Sequence, residues 1–249
     1  MIKEQRFDYI LNALKAQEQV TYETLASSLQ VSEDTIRRDI DQLYRNGLLS
    51  KIRGGAMLPA KNPLTFQDRS RFFQEEKDII AMKAKMYIKD GMTIFMDGGT
   101  TICAIADALP ADISLRIVTN NIPAVQLLSR FRNIELIVLG GTYDPGTATS
   151  TGIITCKEVN MYLADLYLMG TCGVDDKAGI SASVASDAHV KRAMFDNAKT
   201  VISLANHSRL HQVEPFRVGS FSDLDIMITD LESDHADLNG FRNLGVHII

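Results

Sequence analysis

The chain has 249 residues, more than one typical domain needs, and its 45% hydrophobic and 23% charged content is that of a globular protein. No apolar run approaches the ~20 residues that span a bilayer, and the charged N-terminus is unlike a signal peptide, so we expect a cytoplasmic protein with no membrane contact. The three cysteines form no C-x-x-C pair, which argues against a disulfide framework or a zinc ribbon.

The net charge of −5 is unevenly distributed along the chain. Residues 1–57 carry eight basic and eight acidic side chains, so the whole excess of negative charge lies in 58–249. Any role in nucleic-acid binding therefore depends on where the basic residues are placed, because net charge does not indicate one.

Residues 6–47 predict three helices. The apolar residues from Phe7 to Leu14 recur at intervals of three and four, the pattern of a helix with one buried face. Thr21 and Ser32 are good N-caps for a second and a third helix, and Gly47 is a natural stop for the third.

A short helix, a tight turn and a capped helix with arginines near its start are typical of a helix-turn-helix, whose second helix enters the major groove. Residues 48–56 then predict two short strands about a basic turn, the wing of a winged helix, which would meet phosphates or the minor groove. The alternative is an ordinary three-helix bundle with solvated charges. The predicted DNA-binding residues are Ser32, Thr35, Arg37, Arg38, Lys51 and Arg53.

The same segment resembles a known family. VSEDTIRRDI at 31–40, GLL at 47–49 and RGGA at 53–56 are similar to the N-terminal signature of DeoR-type transcriptional regulators. One departure is Arg53, where that family often has His. The resemblance implies a double-stranded DNA operator as partner.

Two prolines and no periodicity mark residues 58–73 as a linker. We expect its phenylalanines, Phe66, Phe72 and Phe73, to pack onto the following domain. The predicted organisation is a winged helix-turn-helix domain at 1–57, a linker at 58–73 and an α/β effector-sensing and oligomerisation domain at 74–249.

Residues 74–249 alternate predicted strands and helices, which indicates a mainly parallel sheet covered by helices. Such sheets bind ligands at the carboxyl ends of their strands. The loop Asp97–Thr101 follows one strand and combines two glycines, two hydroxyls and a helix start, the outline of a phosphate cradle. A tight turn is the alternative. The chain has neither a G-x-G-x-x-G fingerprint nor a P-loop, so we expect no dinucleotide or ATP and no cofactor.

Further loops follow the later strands, and a helix from Ser186 carries Lys191, which could reach a bound anion. His207 and His211 have a spacing compatible with metal binding on a helix, but the sequence shows no third ligand nearby, so no metal is expected.

These loops resemble the C-terminal sensor domain of the same family, whose fold is related to ribose-5-phosphate isomerases and coenzyme A transferases. The resemblance implies a phosphorylated sugar or related anionic metabolite as effector. The residues it places in that site are Asp97, Gly98, Gly99, Thr100, Thr101, Asn120, Gly140, Gly141, Gly170, Gly173, Asp175 and Lys191. The match fails in part at residues 206–209, where NHSR stands in place of the usual Asp, His, Ser and Lys.

We interpret the chain as a DNA-binding transcription regulator, a homo-oligomeric repressor of a sugar catabolic operon that a phosphorylated sugar releases from its operator. The rival hypothesis is a sugar-phosphate isomerase-like enzyme with an added DNA-binding domain. Isomerisation needs a positioned general base. No motif in the sequence identifies such a base, so no catalytic residue is expected. A DNA binder without an effector would leave the glycine loops unexplained.

Overall fold

The computed structural model describes residues 3–17, 19–45, 49–57, 65–70 and 72–249. The chain divides into two compact units, Met1–Gln74 and Glu75–Ile249. Among the described residues no helix is both long and apolar enough to cross a membrane.

The first unit is a small helical domain with a three-stranded antiparallel sheet in the order β1-β3-β2. Its helices are α1 (Lys3–Gln17), α2 (Tyr22–Leu29), α3 (Glu33–Arg45) and α4 (Phe66–Ser70). Its strands are β1 (Gln19–Thr21), β2 (Ser50–Ile52) and β3 (Gly55–Met57).

Both predicted N-caps are present. Thr21 forms a capping box with Thr24 at the start of α2, and the Ser32 hydroxyl accepts the backbone N–H of Thr35 at 3.2 Å. The helices bury their apolar stripes in one core that includes Ile10, Leu25 and Ile40. Gly47, the predicted end of α3, and Leu48, in the predicted wing, lie outside the described residues.

The sequence analysis did not predict β1, although it pairs with β3 over three residues. This pairing requires a glycine at position 55, because a Cβ there would lie 2.0 Å from the carbonyl oxygen of Val20. The adjacent Gly54 has φ +83°, the left-handed conformation that a tight turn of the wing needs. The two glycines therefore serve different steric purposes.

The sequence analysis expected the linker phenylalanines to pack onto the second domain. The ring of Phe72 packs edge-to-face against Tyr44 of α3 in the first unit, with 5.9 Å between centroids.

The second unit is built on a seven-stranded parallel sheet in the order β15-β14-β12-β9-β4-β5-β6. The strands are β4 (Thr93–Met96), β5 (Leu115–Thr119), β6 (Ile134–Val138), β9 (Leu166–Gly170), β12 (Val201–Leu204), β14 (Ile226–Ile228) and β15 (His247–Ile248). A hairpin of β7 (Thr142–Asp144) and β8 (Thr149–Thr151), and a small antiparallel sheet of β10 (Gly173–Asp175), β11 (Gly179–Ala182) and β13 (Phe216–Gly219), accompany it.

The helices of this unit are α5 (Gln74–Lys85), α6 (Thr100–Asp107), α7 (Ile122–Leu128), α8 (Ile153–Val159) and α9 (Ala185–Asp196), and short 3-10 turns span His207–Arg209, Phe221–Asp223 and Ala236–Leu238. Side chains alternate across the sheet between two cores, since Phe95 and Tyr167 belong to one cluster while Ile94 and Leu168 belong to the other. A sheet buried on both faces presents its strand ends, rather than its faces, to a ligand.

Candidate functional site

Two sets of residues were singled out in the sequence, one on α3 and the wing, the other at the strand ends of the parallel sheet. The first turn of α3 begins with Glu33 and Asp34, whose charges favour the positive end of the helix dipole. Ser32 and Thr35 lie at this end, with their hydroxyls 2.9 Å apart, so both belong to the cap of the helix.

Arg37 and Arg38 both lie on the exposed side of α3, opposite its buried stripe. The Arg37 guanidinium lies 5.2 Å from the centre of the Tyr22 ring and 3.7 Å from the carboxylate of Glu33, one turn earlier. No ion pair of Arg38 is found within the described parts of the chain. For an exposed arginine without a carboxylate partner, the free-energy cost of replacing its bound water by a DNA base or a phosphate is small.

The wing presents Lys51 on β2 and Arg53 in the turn, and both side chains are exposed. Lys51 donates a 2.5 Å hydrogen bond to Asp41 on α3 and lies 5.8 Å from the centre of the Tyr44 ring. This bond raises the pKa of Lys51. The contact between Lys51 and Asp41 joins the wing to α3. The basic residues of the wing and those of α3 therefore lie on elements that are in contact.

One ion pair holds α1 to α3. Asp39 is 3% exposed and accepts two hydrogen bonds from Arg6, at 2.6 and 3.0 Å. The doublet Arg37–Arg38 is thus followed by an acidic residue whose charge is neutralised within the domain.

In the second unit, Asp97 follows β4 and lies at the centre of a buried polar cluster. Its Oδ2 accepts from the Tyr167 hydroxyl at 2.6 Å and from Lys191 Nζ at 2.6 Å, and its Oδ1 accepts from the backbone N–H of Gly170 at 2.7 Å. Lys191 also donates to the carbonyl of Gly170 at 2.8 Å and lies 3.7 Å from Asp187, one turn earlier on α9. Asp97 is fully buried and Lys191 is 2% exposed.

The charges of this cluster are set by opposing effects. Burial raises the pKa of Asp97, and the charge of Lys191 opposes that rise. Burial alone would lower the pKa of Lys191, but the carboxylates of Asp187 and Asp97 outweigh it and raise the pKa. Burial, with the adjacent Asp97, also raises the pKa of Tyr167, so its hydroxyl stays protonated and donates. The carboxylate of Asp97 thus accepts hydrogen bonds from three donors: the Tyr167 hydroxyl, Lys191 Nζ and the Gly170 N–H. Such surroundings stabilise the ionised form of the side chain.

The structure thus brings Asp97 and Lys191 together, and the two side chains form an ion pair with each other. The sequence analysis placed both at the effector, and here the carboxylate oxygens of Asp97 and two of the three N–H donors of Lys191 are already engaged.

The glycines around Asp97 are required by close approach of backbones and side chains. A Cβ on Gly98 would lie 2.5 Å from Cγ2 of Thr149, and one on Gly170 would lie 2.4 Å from the carbonyl oxygen of Gly98. Gly99 has φ +137° and is the N-cap of α6. Thr100 and Thr101, both half-buried, occupy the first turn of this helix, so their backbone N–H groups and hydroxyls are the donors of this loop.

Asn120 and Asn121 follow the neighbouring strand β5, and both are fully buried. Asn120 donates from Nδ2 to the carbonyl of Ser150 at 2.8 Å, and its Oδ1 has no hydrogen-bond partner among the described residues. Asn121, which was not among the residues predicted for the site, donates from Nδ2 to the carbonyls of Asp97 and Gly99, at 3.0 and 3.1 Å. It also caps α7, since its Oδ1 accepts the N–H of Ala124. The signal in the sequence was an Asn two residues before a helix-opening proline.

The other predicted glycines, Gly140, Gly141 and Gly173, have structural roles outside the cluster around Asp97. The Gly140 N–H donates to Glu158 at 2.7 Å, and a Cβ on Gly141 would lie 2.1 Å from the Thr155 hydroxyl. Gly173 lies in β10 of the small sheet.

Asp175 ends β10 and accepts the backbone N–H groups of Lys177 and Ala178 at 3.0 and 2.8 Å, which lowers its pKa. Asp175 therefore stabilises the turn after β10 through these two hydrogen bonds. Its carboxylate is not part of the hydrogen-bonded cluster described around Asp97.

A winged helix-turn-helix with an exposed basic face, joined to a parallel α/β domain whose strand ends carry a polar cluster, is the architecture of a ligand-responsive DNA-binding protein. Comparison with known proteins specifies the family. Residues 6–62 match the DeoR-like helix-turn-helix domain, and residues 73–231 match the DeoR C terminal sensor domain.

Several named relatives match along nearly the whole chain. The HTH-type transcriptional repressor GlcR of Bacillus subtilis is 32% identical over 251 residues, covering 100% of this chain and 96% of its own. The glycerol-3-phosphate regulon repressor of Escherichia coli is 32% identical over 92% of each chain. The HTH-type transcriptional regulator IolR of Bacillus subtilis is 28% identical over 92% of each. Among solved structures, ribose 5-phosphate isomerase A from Neisseria gonorrhoeae is similar over 53% of this chain and 52% of its own, with 18% identity and a TM-score of 0.39.

The chain belongs to the DeoR family and is a DNA-binding transcription regulator.

Proposed function

We propose that the chain is a repressor whose hold on its operator is released by a phosphorylated sugar or a related anionic metabolite. The observation that carries the proposal is the loop from Asp97 to Thr101, which opens α6 at a strand end of the sensor domain and offers hydroxyl and backbone donors there. Two relatives are named repressors, one of them of the glycerol-3-phosphate regulon, a name that includes a phosphorylated polyol.

For the operator, we infer that Arg37 and Arg38 reach base edges from α3, with Ser32 and Thr35 at its start. Lys51 and Arg53 on the wing contact phosphates or the minor groove. The exposure of both arginines and the absence of a described ion pair at Arg38 support this assignment. Arginine is well suited to guanine, because its fork matches the two acceptors on the major-groove edge of that base.

For the effector, we infer direct contacts with Gly98, Gly99, Thr100 and Thr101 at the start of α6, and with Asn120 from the next strand. Asp97 and Lys191 hold the loop in place through their ion pair and their bonds to Gly170. Gly140, Gly141, Gly170 and Gly173 complete the set as residues at or next to the neighbouring strand ends. We assign Asp175 to the turn after β10 rather than to the effector.

We further propose that the chain acts without catalysis and as a homo-oligomer. Asp97, a possible general base, is engaged by three donors, which leaves it poorly suited to accept a proton from a substrate. Two copies of a small DNA-binding domain would read a repeated half-site and gain effective concentration on DNA.

The experiment uses the full chain. DNA duplexes are selected from a random library, and binding of the recovered duplex is followed by fluorescence anisotropy with and without a panel of phosphorylated and unphosphorylated sugars. We expect one phosphorylated sugar to weaken DNA binding without being turned over. Arg38→Ala should lose roughly 1–3 kcal/mol of operator affinity and relax specificity.

Arg192→Ala serves as the control, since Arg192 is exposed on α9 of the second unit and paired with Asp196. A duplex bound equally well by the Arg37→Ala/Arg38→Ala double variant would contradict the recognition-helix assignment. Turnover of a sugar phosphate at an enzymatic rate would favour the isomerase-like alternative.

A further inference from the structure

Three metal-ligating side chains from distant parts of the second unit meet at one place that the proposed function does not use. These are Glu76 in the first turn of α5, His207 after β12 and Asp230 after β14. One carboxylate oxygen of each acid and one ring nitrogen of His207 all lie within 4.8 Å of one another. Neighbouring ligand atoms around a metal with bonds of about 2.0–2.2 Å lie about 3.3 Å apart, so small side-chain movements close the set.

Two of the three side chains are held in fixed positions. Asp230 accepts the backbone N–H of His207 at 2.7 Å on Oδ1, and its Oδ2 lies 2.6 Å from Nδ1 of the same histidine. Lys83 of α5 donates to the carbonyls of Thr229 and Leu231, at 2.9 and 3.0 Å, and so fixes the backbone on both sides of Asp230. Asp230 and His207 are therefore held next to each other. A metal ion bound to both would replace the proton between Nδ1 and Oδ2 and move these atoms from 2.6 Å to about 3.3 Å apart.

Three acidic side chains, Asp230, Glu76 and Asp237, lie close enough to the His207 ring to act on it electrostatically. A divalent cation bound there would replace the proton of the imidazole and neutralise two of these negative charges.

The geometry points to a divalent metal site formed by Glu76, His207 and Asp230, with Zn²⁺ or Mn²⁺ as the class of ion. An imidazole among the ligands favours a transition metal over Mg²⁺ or Ca²⁺, which prefer oxygen alone. Three protein ligands leave a further position for water or for an anionic group. The site lies at the ends of β12 and β14, whereas Asp97 follows β4, on the far side of β9 in the strand order. It therefore uses none of the residues that we propose for the effector.

The test is isothermal titration of the full chain, freed of metal with a chelator, against ZnCl₂, MnCl₂ and MgCl₂. We expect one Zn²⁺ or Mn²⁺ per chain with a Kd of about 1 µM or tighter, and no comparable binding of Mg²⁺. Glu76→Gln and His207→Asn keep the size of the side chain and should each raise the Kd by about tenfold or more. The visible spectrum of bound Co²⁺ should change in both variants, a readout that does not depend on DNA binding.

His247→Asn is the matched control, because His247 is exposed on β15 and belongs to no group of clustered ligands in the described chain. His211→Asn tests the other cluster, Asp175, Asp176 and His211. Thermal unfolding of each metal-free variant checks that it is folded, and added Zn²⁺ should raise the Tm of the wild type but much less that of Glu76→Gln. Three results would overturn the site: no saturable binding of Zn²⁺ or Mn²⁺ up to about 1 mM, binding unchanged by both Glu76→Gln and His207→Asn, or binding removed by His211→Asn alone.

Discussion

The Nζ atom of Lys191 lies 2.6 Å from Oδ2 of Asp97, and both side chains are buried. Asp97 follows a central strand, while Lys191 projects from α9, so the pair links the sheet to a helix. Gly170 completes the link, since its carbonyl accepts from Lys191 and its N–H donates to Asp97. The pair thereby holds two strand-end loops together at the edge where we propose that the effector binds.

Replacing Lys191 with Met should destabilise the second unit strongly. The change leaves the carboxylates of Asp97 and Asp187 buried without a cation, and breaking a buried pair in this way costs about 3–5 kcal/mol. Because the chain contains no tryptophan, urea unfolding is best followed by circular dichroism. Lys199→Met, at an exposed position, is the control. A loss below about 1 kcal/mol for Lys191→Met would show that the pair does not stabilise the fold.

Lys51→Ala should weaken binding to all DNA sequences alike and reduce the slope of log K against log salt by about one counterion. The reason is that Lys51 is on the wing, where a charge contacts phosphate rather than bases. Asp41→Asn removes the carboxylate that Lys51 bonds to and should raise nonspecific affinity. Anisotropy titrations at several salt concentrations measure both effects. If Lys51→Ala instead changed sequence preference at unchanged salt slope, the phosphate contact would be wrong.

Gly55→Ala should destabilise the first unit, whereas Gly54→Asn should be tolerated. The methyl group at position 55 would lie 2.0 Å from the Val20 carbonyl oxygen and push β1 from β3. Nothing lies within 4 Å of a Cβ at position 54, and asparagine accepts its left-handed φ at modest cost. Thermal unfolding and operator binding measured together would show the difference. Equal stability of the two variants would mean that β1 does not need its present register.

Asp175 should affect stability in a pH-dependent way and leave effector affinity unchanged. Its pKa is lowered in the folded state by the backbone N–H of Ala178, so its contribution is present above the unfolded pKa and is lost as the pH falls through the folded pKa. The difference in stability between wild type and Asp175→Asn should thus shrink below about pH 4. Asp175→Ala, which also loses the acceptor for the turn, should be the less stable variant at pH 7. Urea unfolding across this pH range tests the first point, and calorimetry with the effector from the sugar panel tests the second.

Cys103 should react slowly with iodoacetamide at neutral pH. Burial raises the pKa of its thiol to about 11, and the thiolate is the reactive form. The rate should increase steadily with pH between 7 and 10, as followed by mass spectrometry of the peptide containing Cys103, with Cys103→Ser as the control for assignment. Rapid alkylation at pH 7 would show that the thiol is more exposed than its place on α6 implies.

Structural features that are formed by residues close together in the chain could be predicted from the sequence. Thr21 and Ser32 cap α2 and α3 as predicted, because a capping hydroxyl bonds to an N–H only three residues away. The alternation of strands and helices likewise indicated the parallel sheet, since parallel strands need helical crossovers between them.

Contacts between distant residues were decided only by the tertiary structure. β1 has three residues and no periodicity of its own, and it is a strand because β3 pairs with it. The ring of Phe72 contacts Tyr44 of α3, a residue that is distant in the chain. Asp97 and Lys191, 94 residues apart, were each assigned to a ligand on chemical grounds, and the fold pairs them with each other. Periodicity and caps determine which faces are buried and where helices begin, whereas the partner of a buried charge depends on which strand ends the chain brings together.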